Sequence, residues 1–236
     1  MKALAKKLPK HNIDCNQSIQ SIKIDSDGLK VEATIRKYQC KHIIYTLPPL
    51  LFAKTISTEP ALPEDMKQLM LNTHTWMQDS IRVGITYKNA FWQRNKTSGT
   101  IYSSAGPIQE FYDHSNSYNN LHALGGFIST NYSDNTKAER KTYIIKQLQI
   151  YYGDQALDYN SYEECAWRSE KHTTSASDKF LMPQTNNGHP LFKETYLNNR
   201  LFITGAETSA IFSGKMEGAI TSAQFVFEKL KHIYNK

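Results

Sequence analysis

The stretch that decides the fold is Arg200-Leu-Phe-Ile-Thr-Gly-Ala-Glu-Thr-Ser209, and Phe212-Ser-Gly-Lys-Met-Glu-Gly-Ala219 follows it closely. Leu201 to Thr204 is a short apolar run that predicts a β-strand stopping at Gly205. Ser213-Gly214 is a helix N-cap signal. A strand, a glycine turn and a helix start therefore follow in order. The first helical turn would offer unpaired N–H groups and partial positive charge to an anion or an electron-rich ring edge.

The helix after this turn is predicted to be long and amphipathic. Its apolar residues recur at helical spacing, so we expect one face to be buried. They are Met216, Ala219, Ile220, Ala223, Val226, Phe227, Leu230 and Ile233. Spacing alone favours an ordinary strand-to-helix unit with glycine at the turn, because short motifs recur by chance.

Length and composition indicate a folded protein with a mild positive charge. The 236 residues can bury the core of one large or two modest domains, and 14 tyrosines disfavour intrinsic disorder. The net charge of +6 is spread along the chain. The densest basic cluster, Lys2, Lys6, Lys7 and Lys10, fits a solvated helix face better than a nucleic-acid patch. No signal peptide or transmembrane span is recognisable, so we expect a cytoplasmic protein that binds neither nucleic acid nor membrane.

The sequence lacks the motifs of several common kinds of site and reaction. Cys15, Cys40 and Cys165 are widely separated, which indicates free thiols rather than a disulfide framework. The eight histidines form no H-E-x-x-H, so no metal site is expected. The sequence has no P-loop and no G-x-S-x-G, which argues against nucleotide hydrolysis and serine-hydrolase chemistry.

The N-terminal third predicts strands followed by a helix. Alternating apolar residues from Ser18 to Asp25 and from Leu29 to Ile35 predict a β-hairpin. A strand from His42 to Thr46 ends at Leu47-Pro48-Pro49, and Glu59-Pro-Ala-Leu-Pro-Glu-Asp65 has the prolines and acidic residues of a helix start.

The middle of the chain predicts an antiparallel sheet and one long helix. Ile101 to Ser104 and Leu121 to Ile128 are strand-like, with Gly125-Gly126 as a bulge or a close-approach site. Lys137 to Tyr152 predicts a helix that ends at Gly153.

These landmarks occur in the order found in the FAD-dependent amine oxidase family, which the chain resembles. The family has Pro-Pro, then P-x-L-P, then a strand ending in Tyr and Phe-Trp; here that strand is Ile81 to Tyr87, followed by Phe91-Trp92. Trp167-Arg-Ser-Glu170 and Gly188-His189-Pro190 resemble two later family segments. The stretch from residue 200 to 219 resembles the flavin-closing signature. The resemblance spans the chain from about Leu4 to Lys231.

The resemblance corresponds to the C-terminal half of such an oxidase. The chain contains no G-x-G-x-x-G, the Rossmann turn that holds the FAD pyrophosphate. The implied fold is α+β, derived from α/β. An incomplete FAD-binding domain would occupy residues 1–71 and 170–236, and residues 72–169 would form a partial substrate domain with a mixed or antiparallel sheet and helices. We expect an unpaired sheet edge and exposed apolar surface, and therefore a Rossmann-bearing partner subunit or a homo-oligomer.

The resemblance also implies a chemistry. In such oxidases a hydride passes from the carbon next to the substrate nitrogen to the flavin, the imine is hydrolysed, and oxygen reoxidises the flavin to give hydrogen peroxide. By the family pattern, the backbone of Ile19 meets the adenine of a non-covalent FAD. Gly205, Ala206 and Glu207 would lie near the diphosphate and ribityl chain.

Lys215 and Met216 would face the flavin pyrimidine, where the helix dipole favours the negative charge of the reduced ring. Arg82, nine residues before Phe91, stands where the family has a lysine that holds a water near the flavin, and arginine cannot act as a neutral base at ordinary pH. Lys215 replaces a tyrosine of the substrate's aromatic cage. Arg82 and Lys215 are thus the candidate catalytic residues. Their ordinary alternatives are a surface salt bridge and a solvated lysine.

Two further positions depart from the monoamine oxidase pattern. Ser177 falls where the second cage tyrosine would be, and Ala176 where some members attach flavin through cysteine. Covalent flavin is therefore not expected. Two cations beside the flavin would repel a protonated amine and attract a carboxylate, which favours an anionic substrate such as an amino acid.

Three functions follow from these observations. The first is the C-terminal portion of an FAD-dependent amine oxidase that acts on a small amine or amino acid and needs a partner chain or upstream sequence. The second is a non-catalytic remnant or binding subunit of a flavoprotein complex, favoured by the missing dinucleotide turn, by Arg82 and by Lys215. The third, a binder of nucleic acid or an acidic partner, is supported by net charge alone.

Overall fold

The computed structural model describes residues 2–75, 77–94, 97–118, 120–173 and 181–235. The chain divides into two compact units, Met1–Trp76 with Asp178–Lys236, and Met77–Ser177. Each unit combines helices with sheet, so the predicted α+β class is confirmed. The domain boundaries at 71 and 170 stay a prediction.

The strands in chain order are β1 (Ile19–Asp25), β2 (Gly28–Ala33), β3 (Lys37–Cys40), β4 (Ile43–Tyr45), β5 (Ser57–Glu59), β6 (Ile81–Tyr87), β7 (Ile101–Tyr102), β8 (Ile108–Asp113), β9 (His122–Ile128), β10 (Tyr159–Ala166), β11 (Thr195–Tyr196) and β12 (Leu201–Ile203). The α-helices are α1 (Lys2–Ala5), α2 (Pro49–Thr55), α3 (Glu64–Leu71), α4 (Phe91–Arg94), α5 (Lys137–Tyr152) and α6 (Met216–Tyr234).

The first unit contains two sheets. In the four-stranded sheet, of order β3-β2-β1-β5, β1 and β2 form the predicted hairpin and β5 pairs with β1 in parallel. In the three-stranded sheet, β12 lies between antiparallel β11 and parallel β4. Apolar residues from both sheets and from α2 and α3 share one core, which includes Ile22, Phe52, Met66 and Leu201. Helix α2 is not predicted from the sequence. It begins at Pro49, where the first helical position needs no N–H donor.

The second unit is one antiparallel sheet of order β10-β6-β9-β8-β7 with α5 against one face. Strand β6 has the predicted bounds and its side chains alternate between the two faces: Ile81, Val83 and Ile85 are buried in the core that they share with α5. Arg82 and Thr86 are exposed on the opposite face. This alternation leaves one face of the sheet open to a ligand.

Helix α5 has the predicted bounds because its termini are specified locally. Thr136 and Glu139 form a capping box, in which the Glu139 N–H donates to Thr136 Oγ1 (3.2 Å) and the Thr136 N–H donates to Glu139 Oε2 (2.7 Å). Gly153, at φ 75°, ends the helix.

Helix α6 buries Val226 as predicted, but the other apolar residues of the predicted face are exposed or half-buried. Its buried residues are Gly218, Ser222 and Val226, whereas Met216 is 88% exposed and Phe227 is 62% exposed. Ala223, Ile220 and Ile233 are also exposed, and Ala219 and Leu230 are half-buried. Small residues face inward because the helix packs closely on backbone, and the large apolar side chains form an exposed stripe.

The N-cap of α6 is also different from the expectation. Lys215 occupies the cap position and no side chain caps the helix, so Ser213-Gly214 precedes the cap instead of forming it. Across the described parts of the chain, no helix has the length and apolar character that a bilayer-spanning segment requires.

Candidate functional site

The end of β12 is fastened to α6 by a network of hydroxyl groups. The Ser222 hydroxyl of α6 lies 2.6 Å from Thr204 Oγ1 and 2.7 Å from Thr208 Oγ1. It also accepts a hydrogen bond from the Gly205 N–H at 3.2 Å. All four residues are buried or half-buried, so the network holds the strand end and the helix in one fixed geometry.

Two glycines allow other backbone segments to pack closely against the loop between β12 and α6. A Cβ on Gly218 would lie 2.4 Å from the carbonyl oxygen of Phe212. A Cβ on Gly188, which has φ +72°, would lie 2.7 Å from Ala210 Cα. The Gly214 N–H donates to the Ala206 carbonyl oxygen at 2.9 Å. Backbone therefore packs on backbone at the start of α6, where no larger residue fits.

The first turn of α6 has free hydrogen-bond donors. Within the described residues, the N–H groups of Met216, Glu217 and Gly218 have no acceptor, and no side chain caps them. The exposed Lys215 adds a cation at the same end. This end of the helix is therefore suited to a negatively charged or electron-rich group.

Polar groups lie buried beside this loop. Glu207 is 8% exposed, and its carbonyl oxygen accepts the Gly188 N–H at 2.7 Å. Burial, and then the negative charge of Glu207, raise the pKa of Tyr45. The Asn187 amide and the Ser213 hydroxyl are buried without a partner among the described residues. Such unpaired groups are costly unless a ligand or water satisfies them.

The structure brings together most of the predicted site residues. Gly205, Ala206 and Glu207 follow β12 directly, and Lys215 and Met216 begin the helix that the Ser222 network fastens to the same strand end. These residues form one contiguous segment.

The two remaining site residues lie elsewhere. Ile19 begins β1, in the other sheet of the first unit, where it pairs with Ala33. The parallel pairing of β1 with β5 starts only at Ser21. Arg82 belongs to the second unit.

Arg82 lies on the open face of the five-stranded sheet. Its guanidinium carbon is 5.6 Å from the centre of the Phe127 ring, and no carboxylate of the described residues forms an ion pair with it. Arg82 is the outward strand residue that the ordinary interpretation expects, but no salt bridge accompanies it within the described residues, and both interpretations of its role stay predictions. A cavity of about 340 Å³ lies beside Arg82, and Glu163 and His114 also line it. Gly84 also lines this cavity. A Cβ added to Gly84 would have no neighbour within 4 Å, so there is free space next to this residue.

The comparisons with known proteins identify the family. Residues 1–226 match the family described as "Flavin containing amine oxidoreductase". The chain belongs to this family. It is 27% identical to the "Probable flavin-containing monoamine oxidase A" of Dictyostelium discoideum, a match that covers 97% of this chain and 50% of that protein. It is 26% identical to the "L-amino acid dehydrogenase" of Synechocystis sp., covering 85% of this chain and 42% of that one.

The chain also shares its fold with solved structures. The "Cyclohexylamine Oxidase from Brevibacterium oxydans IH-35A" superposes with a TM-score of 0.80 at 22% sequence identity. That match covers 97% of this chain and 51% of the oxidase. The chain thus spans about half the length of the relatives that it matches. The family's cofactor is FAD, as the sequence resemblance implies.

The family pattern does not predict every residue that shapes the site. Ser222 is missed because a serine among apolar helix residues carries no family signature, although its spacing four residues after Gly218 and four before Val226 marks the buried face. Glu163 is missed because β10 is not predicted from its sequence. Ala176 and Ser177, named for flavin attachment and the aromatic cage, lie outside the described residues.

Proposed function

We propose that this chain forms the flavin-ring and substrate side of an FAD-dependent amine oxidase that oxidatively deaminates a small amine or amino acid. The observation that carries the proposal is the fixed junction of β12 and α6, where three uncapped N–H groups and Lys215 meet at one helix start. FAD, when bound, would accept a hydride from the substrate carbon next to nitrogen.

The residues of the junction fit one side of this cofactor. The N–H groups of Met216, Glu217 and Gly218 can donate to the carbonyl and nitrogen acceptors of a flavin pyrimidine edge. Lys215 and the helix dipole favour negative charge there, which stabilises the reduced flavin. The buried Glu207 carboxylate can accept hydrogen bonds from ribityl hydroxyls.

The dinucleotide end of FAD needs residues that this sequence does not contain. Because no G-x-G-x-x-G is present, we propose that a Rossmann-bearing polypeptide completes the site, with a homo-oligomer as the alternative. Among the described strands, β4 pairs with β12 alone, and Ile44 on this edge strand is 48% exposed. A further parallel strand can therefore add to β4, and a helix can cover the exposed stripe of α6.

The cavity beside Arg82 supports an amino acid as substrate. Arg82 and Glu163 are exposed on the same face of neighbouring strands, where Cys165 pairs with Arg82 and Glu163 with Gly84, yet they form no ion pair. The guanidinium would hold a carboxylate in two hydrogen bonds, and Glu163 would hold the ammonium.

The Cys165 thiol, which also lines the cavity, is neutral. Its pKa is raised by burial and by the negative charges of Glu170 and Glu164, so the thiol stays protonated.

The substrate proposal is tested on the flavin-loaded complex. We expect amino acids to be turned over faster than simple monoamines, and we expect Arg82→Gln to raise KM for amino acids about tenfold or more. Thr86→Ala, on the same exposed face but outside the cavity, is the control. Faster turnover of monoamines than of amino acids would contradict the proposal.

The junction itself is tested with a pair of glycine substitutions. Gly218→Ala places a methyl group 2.4 Å from the Phe212 oxygen and must displace the start of α6, so we expect the complex to lose bound flavin. Gly84→Ala, whose methyl meets open space, should retain it. Flavin absorbance per mole of protein measures both. Equal flavin content in the two variants would favour the alternative, a non-catalytic binding subunit.

A further inference from the structure

A second cleft, of about 590 Å³, lies in the second unit between α5 and the turn at residues 105–107. Its walls include the rings of Tyr132, Tyr143 and Tyr151, and Ile150 contributes an apolar surface that is 73% exposed. None of its lining residues lines the cavity beside Arg82. The volume is within the range of sites that bind small molecules.

One wall of the cleft is fixed by Gln147, which is buried on α5. Its side-chain oxygen accepts the Ile108 N–H at 2.7 Å, and its amide nitrogen donates to the Ala105 carbonyl oxygen at 2.7 Å. The same nitrogen donates to the Tyr151 hydroxyl at 3.2 Å, and that hydroxyl donates to Ser103 Oγ at 2.9 Å. The turn and the Tyr151 ring are therefore held in place without a ligand.

The opposite wall is fixed by Arg140, which is 6% exposed. Its guanidinium donates to the carbonyl oxygens of Tyr132 (3.3 Å) and Ser133 (3.1 Å) and pairs with Glu164, with Nε 3.0 Å from Oε1. The Tyr132 ring meets the Tyr143 ring edge-on, with centroids 5.9 Å apart. Because both walls are ordered by buried polar groups, little conformational entropy remains to be lost when a ligand binds.

The described residues that line the cleft carry one positive charge and no negative charge. Lys146 is the charged residue among the described lining residues, and it forms no ion pair within the described chain. We propose that this tyrosine-lined cleft is a binding site for a small planar aromatic anion, whose ring packs against the tyrosines and whose carboxylate faces Lys146.

The experiment uses the full chain and three probes in saturation-transfer NMR with isothermal titration. Indole-3-acetate carries both the ring and the charge, 3-methylindole lacks the charge, and cyclohexylacetate lacks the aromatic ring. We expect indole-3-acetate to bind more tightly than either of the others, with an affinity that falls as salt is raised.

Variants locate the binding. We expect Tyr143→Leu to weaken indole-3-acetate binding by about three- to tenfold, and Lys146→Gln by about two- to fivefold. Tyr118→Leu and Lys137→Gln remove an exposed tyrosine and an α5 lysine outside the cleft and should leave the affinity unchanged. Both cleft residues are exposed, so folding should persist, and circular dichroism checks it. Equal affinity for indole-3-acetate and cyclohexylacetate, or no loss in either cleft variant, would overturn the proposal, as would the absence of saturable binding.

Discussion

Gly126 and Gly84 lie on neighbouring central strands of the second unit, yet they tolerate a methyl group very differently. A Cβ on Gly126 would lie 1.9 Å from the Glu110 carbonyl oxygen of the next strand, whereas a Cβ on Gly84 would meet nothing within 4 Å. We expect Gly126→Ala to lower the free energy of unfolding by about 1–3 kcal/mol or more, and Gly84→Ala to change it by less than about 0.5 kcal/mol. Urea unfolding of both variants measures the difference, and equal stabilities would contradict this close approach.

Asp113 makes the second unit sensitive to acid. Burial would raise the pKa of its carboxyl above the ordinary 3.8, but hydrogen-bond donors outweigh burial and lower it to about 2. The donors include the backbone N–H of Ser115 (2.8 Å), the Trp92 indole (2.9 Å) and the Gln93 amide (2.9 Å). Because the folded-state pKa is the lower one, the carboxylate stabilises the fold above about pH 4, and this contribution disappears as the pH falls towards about 2.

The corresponding variant is Asp113→Asn, which cannot ionise. Between about pH 5 and about pH 2, we expect the wild-type chain to lose on the order of 2 kcal/mol more stability than the variant. Thermal unfolding across this pH range gives the comparison. Parallel pH profiles for the two proteins would show that the carboxylate contributes no pH-dependent stability.

At the scale of elements, we expect the buried residues of α6 to stabilise the fold and its exposed apolar residues to bind the proposed partner. Val226 is 3% exposed, so we expect Val226→Ala to cost about 1–3 kcal/mol of stability. Phe227, its neighbour, is 62% exposed, so Phe227→Ala should change stability by less than about 0.5 kcal/mol but weaken binding of the proposed Rossmann-bearing polypeptide. Chemical unfolding and sedimentation velocity measure the two effects. A large stability loss in Phe227→Ala would mean that the exposed stripe is buried in the chain alone.

Elements with strong local signals are predictable from this sequence, and others are not. Strand β6 and helix α5 have the predicted bounds because alternation specifies one and a capping box specifies the other. Strands β8 and β10 are missed because polar and tyrosine residues interrupt the apolar alternation along them. Helix α2 is missed because the paired prolines suggest only a turn.

The face of α6 shows why part of the site could not be predicted. Periodicity finds the large apolar residues of this helix, but close packing on the loop selects Gly218 and Ser222 for the inside. The family resemblance predicts a cofactor site at residues 205 to 216, and this stays a prediction. The free donors at the start of α6 follow from the predicted order of strand, turn and helix. The Ser222 network and the Arg82 cavity depend on tertiary contacts that no local pattern encodes.

At the scale of the whole molecule, each unit has its own core and its own candidate surface. The first unit carries the β12–α6 junction, the unpaired edge of β4 and the exposed stripe of α6. The second carries the open sheet face with Arg82 and, away from that cavity, the tyrosine cleft. The chain spans about half the length of its relatives, and the flavin enzyme that we propose includes the other half of the family fold.

The most direct measurement is the visible absorption spectrum of the chain purified alone and after co-expression with the polypeptide that supplies the G-x-G-x-x-G turn. We predict a flavin spectrum in the co-purified complex, bleached by added substrate, and a colourless chain when it is purified alone. A stable complex that carries no flavin would contradict the account. The β12–α6 junction would then be a structural feature, and Glu207 and Lys215 would have no role at a cofactor.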